Sequence, residues 1–252
     1  MITSLSIGRG GLGRFGNQMF TMAGVIGIAI KSGQPFAFPR WKTYDNPAFG
    51  LPIDDIEEHL LNELPRIPDG LSFNDYGYFW GYRDINLPTG NWSIDAHMQS
   101  YKFFIHCIDK VREVFRFKDE PPQNEMVAIH YRAGDYTEGK DTYHPRQTKE
   151  YYDKAMAQFP DGKFILFSDD TAGWCQMMGI DIMEISSGKD YIEDFKMMKR
   201  CKSFIIANSS FSLMAALLGD HPEKKIVCPK LWFGSVAGIN GDDCYPENAI
   251  VL

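Results

Sequence analysis

Val127-Ala-Ile-His-Tyr-Arg-Ala-Gly-Asp-Tyr136 reads as a strand that runs out into a polar turn. Met126 to Tyr131 has the near-continuous apolar character of a strand covered on both faces, as in a parallel sheet packed by helices. Open α/β sheets place their ligands at the carboxyl ends of such strands. Period two puts His130 and Arg132 on the same side. Arg132 can fork onto a diphosphate and neutralise charge as a leaving group departs. The plain alternative is an Arg132–Asp135 salt bridge closing a strand end.

Downstream of this stretch the spacing predicts a helix over Thr148–Phe159, a strand over Lys163–Ser168 and a helix over Thr171–Met178. A strand over Asp181–Ile185 and a helix over Tyr191–Arg200 follow. The last units are a strand over Ser203–Ala207, a helix over Phe211–Leu218 and a strand over Lys225–Cys228. Alternating short β-rich runs and helical segments are the signature of a Rossmann-like αβ half. Upstream, Lys118-Asp-Glu-Pro-Pro-Gln-Asn124 is a charged double-proline linker, since proline cannot continue a helix. It divides the chain into domains of residues 1–120 and 121–252.

The N-terminal half is less regular. Strands are predicted over Thr3–Ile7 and Pro35–Phe38, with helices over Asn17–Lys31, Asp54–Leu64 and Tyr101–Phe117. The proline- and aromatic-rich stretch between Asp45 and Gly90 reads as loops suited to an acceptor pocket. Gly8-Arg-Gly-Gly-Leu-Gly-Arg-Phe-Gly-Asn-Gln18 joins the first strand to a helix, and its glycines let backbone approach an anionic ligand. Gly8, Gly10 and Gly13 satisfy GxGxxG, but the second strand ends Phe36-Ala-Phe-Pro-Arg40 with no acid to bind a ribose, which disfavours NAD. A merely permissive turn is the alternative. No Walker pattern occurs, because neither Gly139-Lys140 nor Gly188-Lys189 precedes Ser or Thr.

Across 252 residues, 26 Lys plus Arg stand against 33 Asp plus Glu, a net charge of −7 with no basic cluster. That argues against a polyanion-coating protein and predicts no nucleic-acid partner. No apolar run approaches the ~18 residues of a membrane span, which leaves only peripheral membrane contact open. The five cysteines form no CxxC pair, so reduced thiols and a cytoplasmic location are expected. No Asp-x-Asp occurs anywhere, so the usual metal–diphosphate clamp is missing and Arg132 is the available cation.

Gly13-Arg-Phe-Gly-Asn-Gln-Met-Phe20, the basic turn from His130 to Tyr136, Phe167-Ser-Asp-Asp170 and Ile205-Ile-Ala-Asn-Ser-Ser-Phe-Ser212 together resemble the ordered motifs of the α-1,2-fucosyltransferases, glycosyltransferase family 11. Gln99-Ser-Tyr-Lys-Phe-Phe104, Tyr151-Tyr152 and Pro229-Lys-Leu-Trp-Phe233 are minor echoes between them. The resemblance implies a GT-B fold of two facing Rossmann-like domains, with donor mainly on the C-terminal one and acceptor facing the N-terminal one. It implies GDP-β-L-fucose as donor, a glycan hydroxyl as acceptor, inversion to an α-1,2 linkage, and no cofactor or metal.

By matching motif, the resemblance implies that Arg132 holds the β-phosphate and stabilises the leaving GDP. His130 and Asp169 would contact guanine, and Asp170 either joins them or caps the following helix. Asn208, Ser209, Ser210 and Phe211 would meet phosphate oxygens at a helix N-terminus, where an ordinary serine cap is the alternative. Gly16 and Asn17 would close over the diphosphate. The family's second consecutive arginine is replaced here by Ala133, and Arg9 or Arg14 could stand in for it. An arginine at 133 would point away from the side Arg132 uses, unless the turn curled it back. Asp135 is the candidate base, with Glu138, Asp141 and His144 as rivals. The competing classes are a non-catalytic nucleotide-sugar or glycan-binding protein, and an NADP-dependent oxidoreductase using Arg40.

Overall fold

The computed structural model describes residues 1–7, 9, 12–42, 55–179, 185–186 and 190–252. The chain divides into two compact units, Met1–Asp119 and Glu120–Leu252. Gly8, Gly10 and Gly11 of the glycine loop, Asp45, the first residue of the helix predicted over Asp54–Leu64, residues 181–184 of the strand predicted over Asp181–Ile185, and Gly188-Lys189 lie outside the described residues.

The first unit holds a three-stranded parallel sheet in the order β1 (Ile2–Thr3), β3 (Trp92–Ser93), β2 (Asn74–Asp75). The strands are shorter than the sequence suggests, and β1 shows why. Beyond Thr3 the backbone donors go to side chains: Leu5 N–H donates to Ser93 Oγ and Ser6 N–H to Asp95 Oδ1. Those bonds replace the ladder and end the strand. Pro35–Phe38 contributes only single bridges, Ile2 with Phe36 and Phe38 with Arg66.

Helix α1 (Phe15–Lys31) is buried over nearly its whole length. The helix predicted over Tyr101–Phe117 is instead two short 3-10 turns, Tyr101–Phe103 and Ile105–Cys107, followed by α2 (Ile108–Val114). The cause is close packing on α1: a Cβ at Gly27 would run into the Phe103 carbonyl. The periodic pattern survives, but the backbone bends to follow α1. Within the predicted helix over Asp54–Leu64, only the 3-10 turn Ile56–His59 forms.

The second unit is built on a five-stranded parallel sheet in the order β5-β4-β6-β7-β8. The strands are β4 (Met126–Tyr131), β5 (Lys163–Ser168), β6 (Ser203–Ile205), β7 (Ile226–Cys228) and β8 (Ile250–Val251). Ile185 adds a parallel bridge to Leu166 on β5. The helices are α3 (Lys149–Met156), α4 (Thr171–Met178), α5 (Tyr191–Lys199) and α6 (Ser210–Leu218). The chain leaves β4 towards β5 on one side and returns to β6 on the other. The carboxyl ends of β4 and β6 therefore form the switch point where such sheets open a crevice. Both units are α/β with parallel sheets.

Candidate active site

Strand β4 sorts its side chains by period two. Val127, Ile129, Tyr131 and Ala133 enter one hydrophobic cluster with Tyr151, Tyr152, Leu166 and Trp174. Ala128, His130 and Arg132 take the opposite face. Ala133 is 1% exposed inside that cluster, so an arginine at this position would have to bury its charge among apolar rings.

Arg132 is held from two directions. Its Nη1 meets Asp169 Oδ2 at 2.6 Å and its Nη2 meets Asp135 Oδ1 at 2.6 Å. The guanidinium also lies 5.7 Å from the centroid of the Tyr136 ring. Asp169, at the end of β5, ties the turn down as well: it accepts from Ala133 N–H at 3.0 Å and Gly134 N–H at 3.2 Å. A Cβ at Gly134 would sit 2.6 Å from Asp169 Oδ2, so the turn needs glycine for close approach. Both Asp169 oxygens are thus engaged within the protein, whereas the resemblance places this carboxylate at guanine. The salt bridge read from sequence exists, and it is part of a three-residue arrangement.

His130 is 7% exposed, with its ring centroid 5.7 Å from that of Phe211. Its Nδ1 is buried without a hydrogen-bond partner among the described residues. Burial first, and the neighbouring Arg132 charge second, push its pKa down to about 3, so the ring is neutral. Tyr152 Oη donates to the His130 carbonyl at 2.9 Å and fixes the strand from behind.

At the exit of β6, Asn208 is buried and its amide is spent on the fold. Its Nδ2 donates to the Trp232 carbonyl at 2.9 Å and its Oδ1 accepts from Gln147 Nε2 at 2.9 Å. Its carbonyl accepts from Tyr136 Oη at 2.9 Å. Asn208 thereby locks the basic turn to the β6 exit. Ser209 is the N-cap of α6, with no side-chain capping bond and no acidic residue in the first turn. The N-terminal N–H groups and dipole of α6 favour an anion there. Ser210 and Phe211 open that helix, and Phe195 braces Phe211 edge-on at 5.4 Å.

Asp170 caps α4, accepting from Gly173 N–H at 2.8 Å, which selects the capping alternative for this residue. Among the rivals for the base, Asp141 accepts from Ser235 Oγ at 2.8 Å. His144 stacks on Tyr136 with centroids 5.0 Å apart, and Glu138 is exposed. Asp135 is the candidate base that meets Arg132. In the first unit, Gly16 is buried in the first turn of α1 and Asn17 Oδ1 accepts from Gln99 Nε2 at 2.8 Å. Arg40 pairs with Asp55.

Arg146 escapes the sequence reading. Its Nη2 donates to the carbonyls of Ala133 at 3.3 Å and Tyr136 at 3.2 Å, clamping both ends of the basic turn. The only sequence signal is a cation shortly after a loop, which points nowhere without the fold. Among the described residues no group of three or more His, Cys, Asp or Glu is placed to hold a metal, and no helix is long and apolar enough to cross a membrane.

Residues 92–232 match the family model of glycosyl transferase family 11. The chain is 29% identical over 171 residues to an α-1,2-colitosyltransferase of Escherichia coli, covering 59% of this chain and 58% of that protein. It is 30% identical over 176 residues to the O-antigen biosynthesis glycosyltransferase WbnK of Escherichia coli, covering 64% of this chain and 56% of that protein. The chain thus spans under two thirds of the length of these relatives.

Proposed function

The chain belongs to glycosyl transferase family 11, and on that premise we propose that it transfers L-fucose from GDP-β-L-fucose to a hydroxyl of a glycan acceptor, with inversion to an α-1,2 linkage and without a metal. The observation that carries the reading is Arg132: a fork-shaped cation at the carboxyl end of β4, aimed by Asp169, on the strand paired with β6, whose exit leads into α6. A nucleoside diphosphate needs those features. A GT-B arrangement belongs to the same reading, with the donor on the second unit and the acceptor on the first. So do a cytoplasmic location and action without a cofactor.

In this mechanism Asp169 orients Arg132 and the β-phosphate takes the edge of the guanidinium that Asp135 holds. Asp135 is thereby released to accept the proton of the acceptor hydroxyl. The acceptor oxygen bonds to C1 of fucose as the bond from C1 to the β-phosphate oxygen breaks, and GDP leaves on Arg132 and α6. Neutral His130 and Phe211 form the wall against which guanine packs. The test is calorimetric titration in EDTA. GDP binds and UDP binds at least about tenfold more weakly, because a site shaped for one base leaves polar groups unpaired with another. Equal affinities, or binding only with Mg²⁺, contradict the donor assignment. GDP binding without transfer to any acceptor favours a non-catalytic nucleotide-sugar-binding protein.

A further inference from the structure

In the first unit, the segment after β2 runs Tyr78-Phe79-Trp80 with alternating exposure. Phe79 is 3% exposed and packs on Tyr76 and Phe103, with ring centroids 5.9 and 6.1 Å away. Period two then turns Tyr78 and Trp80 outward, and Tyr78 is 57% exposed. The segment after β3 brings His97 to meet them. The Trp80 and His97 rings stack 4.9 Å apart at 23°. Tyr78 stands nearly perpendicular to both, at 80° and 88° with centroids 6.2 and 6.0 Å away. Because Trp80 and His97 lie face to face, the pair offers an outer ring face as a shelf, and the upright Tyr78 makes a wall beside it. The shelf lies past the carboxyl ends of β2 and β3, the ligand side of a parallel sheet. Burial lowers the pKa of His97, so the shelf carries no charge of its own at neutral pH.

We propose that Tyr78, Trp80 and His97 form the surface on which one pyranose ring of the glycan acceptor stacks, an assignment that rests on the glycosyltransferase reading above. A pyranose presents a face of C–H bonds whose slight positive charge suits the negative face of an aromatic ring. Rigid aromatic side chains offer that area with little ordering cost. An outer ring face with one wall matches one sugar ring in extent; a helix or strand of a protein partner would need a longer groove. Two of the three rings, Tyr78 and Trp80, precede residues 92–232, the stretch shared with the family, while His97 lies inside it. Arg132, Asp135 and Asp169 lie inside it. Tyr78 and Trp80 are therefore placed to give this chain its own acceptor preference while the chemistry of the transfer stays common to the family.

The test is binding of the intact protein, without donor, to an array of terminal-hexose glycans that includes lactose, followed by titration of the strongest binder. Tyr78→Ala and Trp80→Ala weaken that binding by at least about fivefold. Trp80→Phe keeps it within about twofold, because a flat ring remains. GDP affinity stays that of the wild type in all three. Unchanged glycan affinity in both alanine variants overturns the shelf, as does a wild type that binds no glycan on the array. Tyr78 is exposed, so its truncation leaves the core intact even if Trp80→Ala fails to fold. Failure of the wild type to bind GDP counts against the donor reading instead, since the glycan measurement uses no nucleotide.

Discussion

His130 shows at the scale of one residue how the site trades stability for shape. An unfolded chain protonates this ring below about pH 6.5, whereas the folded ring stays neutral down to about pH 3. Between those values the unfolded state binds the extra proton, so stability rises with pH through the window and is complete above it. From pH 7.5 to 5.0, urea unfolding loses about 2 kcal/mol more in the wild type than in His130→Gln. Equal losses in the two proteins would mean that the ring is not held neutral. His97 is present in both, so its share cancels. The same strand was legible in outline from sequence, because period two alone separates His130 and Arg132 from Ala133. That Asp169 bonds Ala133 and Gly134 N–H groups was not legible, since it depends on β5 lying beside β4 in register, Tyr131 opposite Ser168.

Elements follow the same division between what local pattern dictates and what packing overrides. Helix α4 begins and ends on local chemistry: Asp170 caps its start, and Gly179 closes it in the left-handed region at φ 69°. Both signals are in the sequence. The segment from Tyr101 to Phe117 carries a helical pattern as well, yet the Phe103 carbonyl seated against Gly27 breaks it into turns. Two-residue strands such as β2 and β8 are below what periodicity can detect. The cap on α4 has a consequence at this scale. Asp170→Ala lowers stability by about 1 kcal/mol, Asp170→Ser restores most of it, and GDP affinity changes less than twofold in both. A large loss of GDP affinity at constant stability would return Asp170 to the nucleotide site.

Over the whole molecule, the proposed donor is an anion while the chain itself carries a net charge of −7. Bulk charge opposes their encounter, so the attraction has to be local. Unit 2 offers it where β4, β5 and β6 end together: Arg132 fixed by Asp169, and the N-terminus of α6, at which Ser209 makes no side-chain capping bond. Arg146 and Asn208 bind the basic turn to its neighbours and keep that geometry rigid. Three of the family's four motifs fall at the ends of β4, β5 and β6, and the fourth opens α1, so each marks the boundary of an element. The clamps behind them were not legible, because Arg146 reaches back to Ala133 and Tyr136 only through the course of the intervening loop, and Gln147 acts on Asn208 and Leu231, distant in the chain.

The most direct measurement is the initial rate of fucose transfer from GDP-fucose to lactose, in EDTA, for the wild type, Arg132→Ala and Arg132→Lys. The wild type transfers without added metal. Arg132→Ala lowers kcat/KM by at least about 100-fold, since a charge-assisted contact to a departing diphosphate in a water-poor site is worth roughly 3 kcal/mol. Arg132→Lys recovers only part of that loss, because a point charge cannot match the fork. Near-normal transfer by Arg132→Ala, or a wild type that works only with Mg²⁺, would contradict the account.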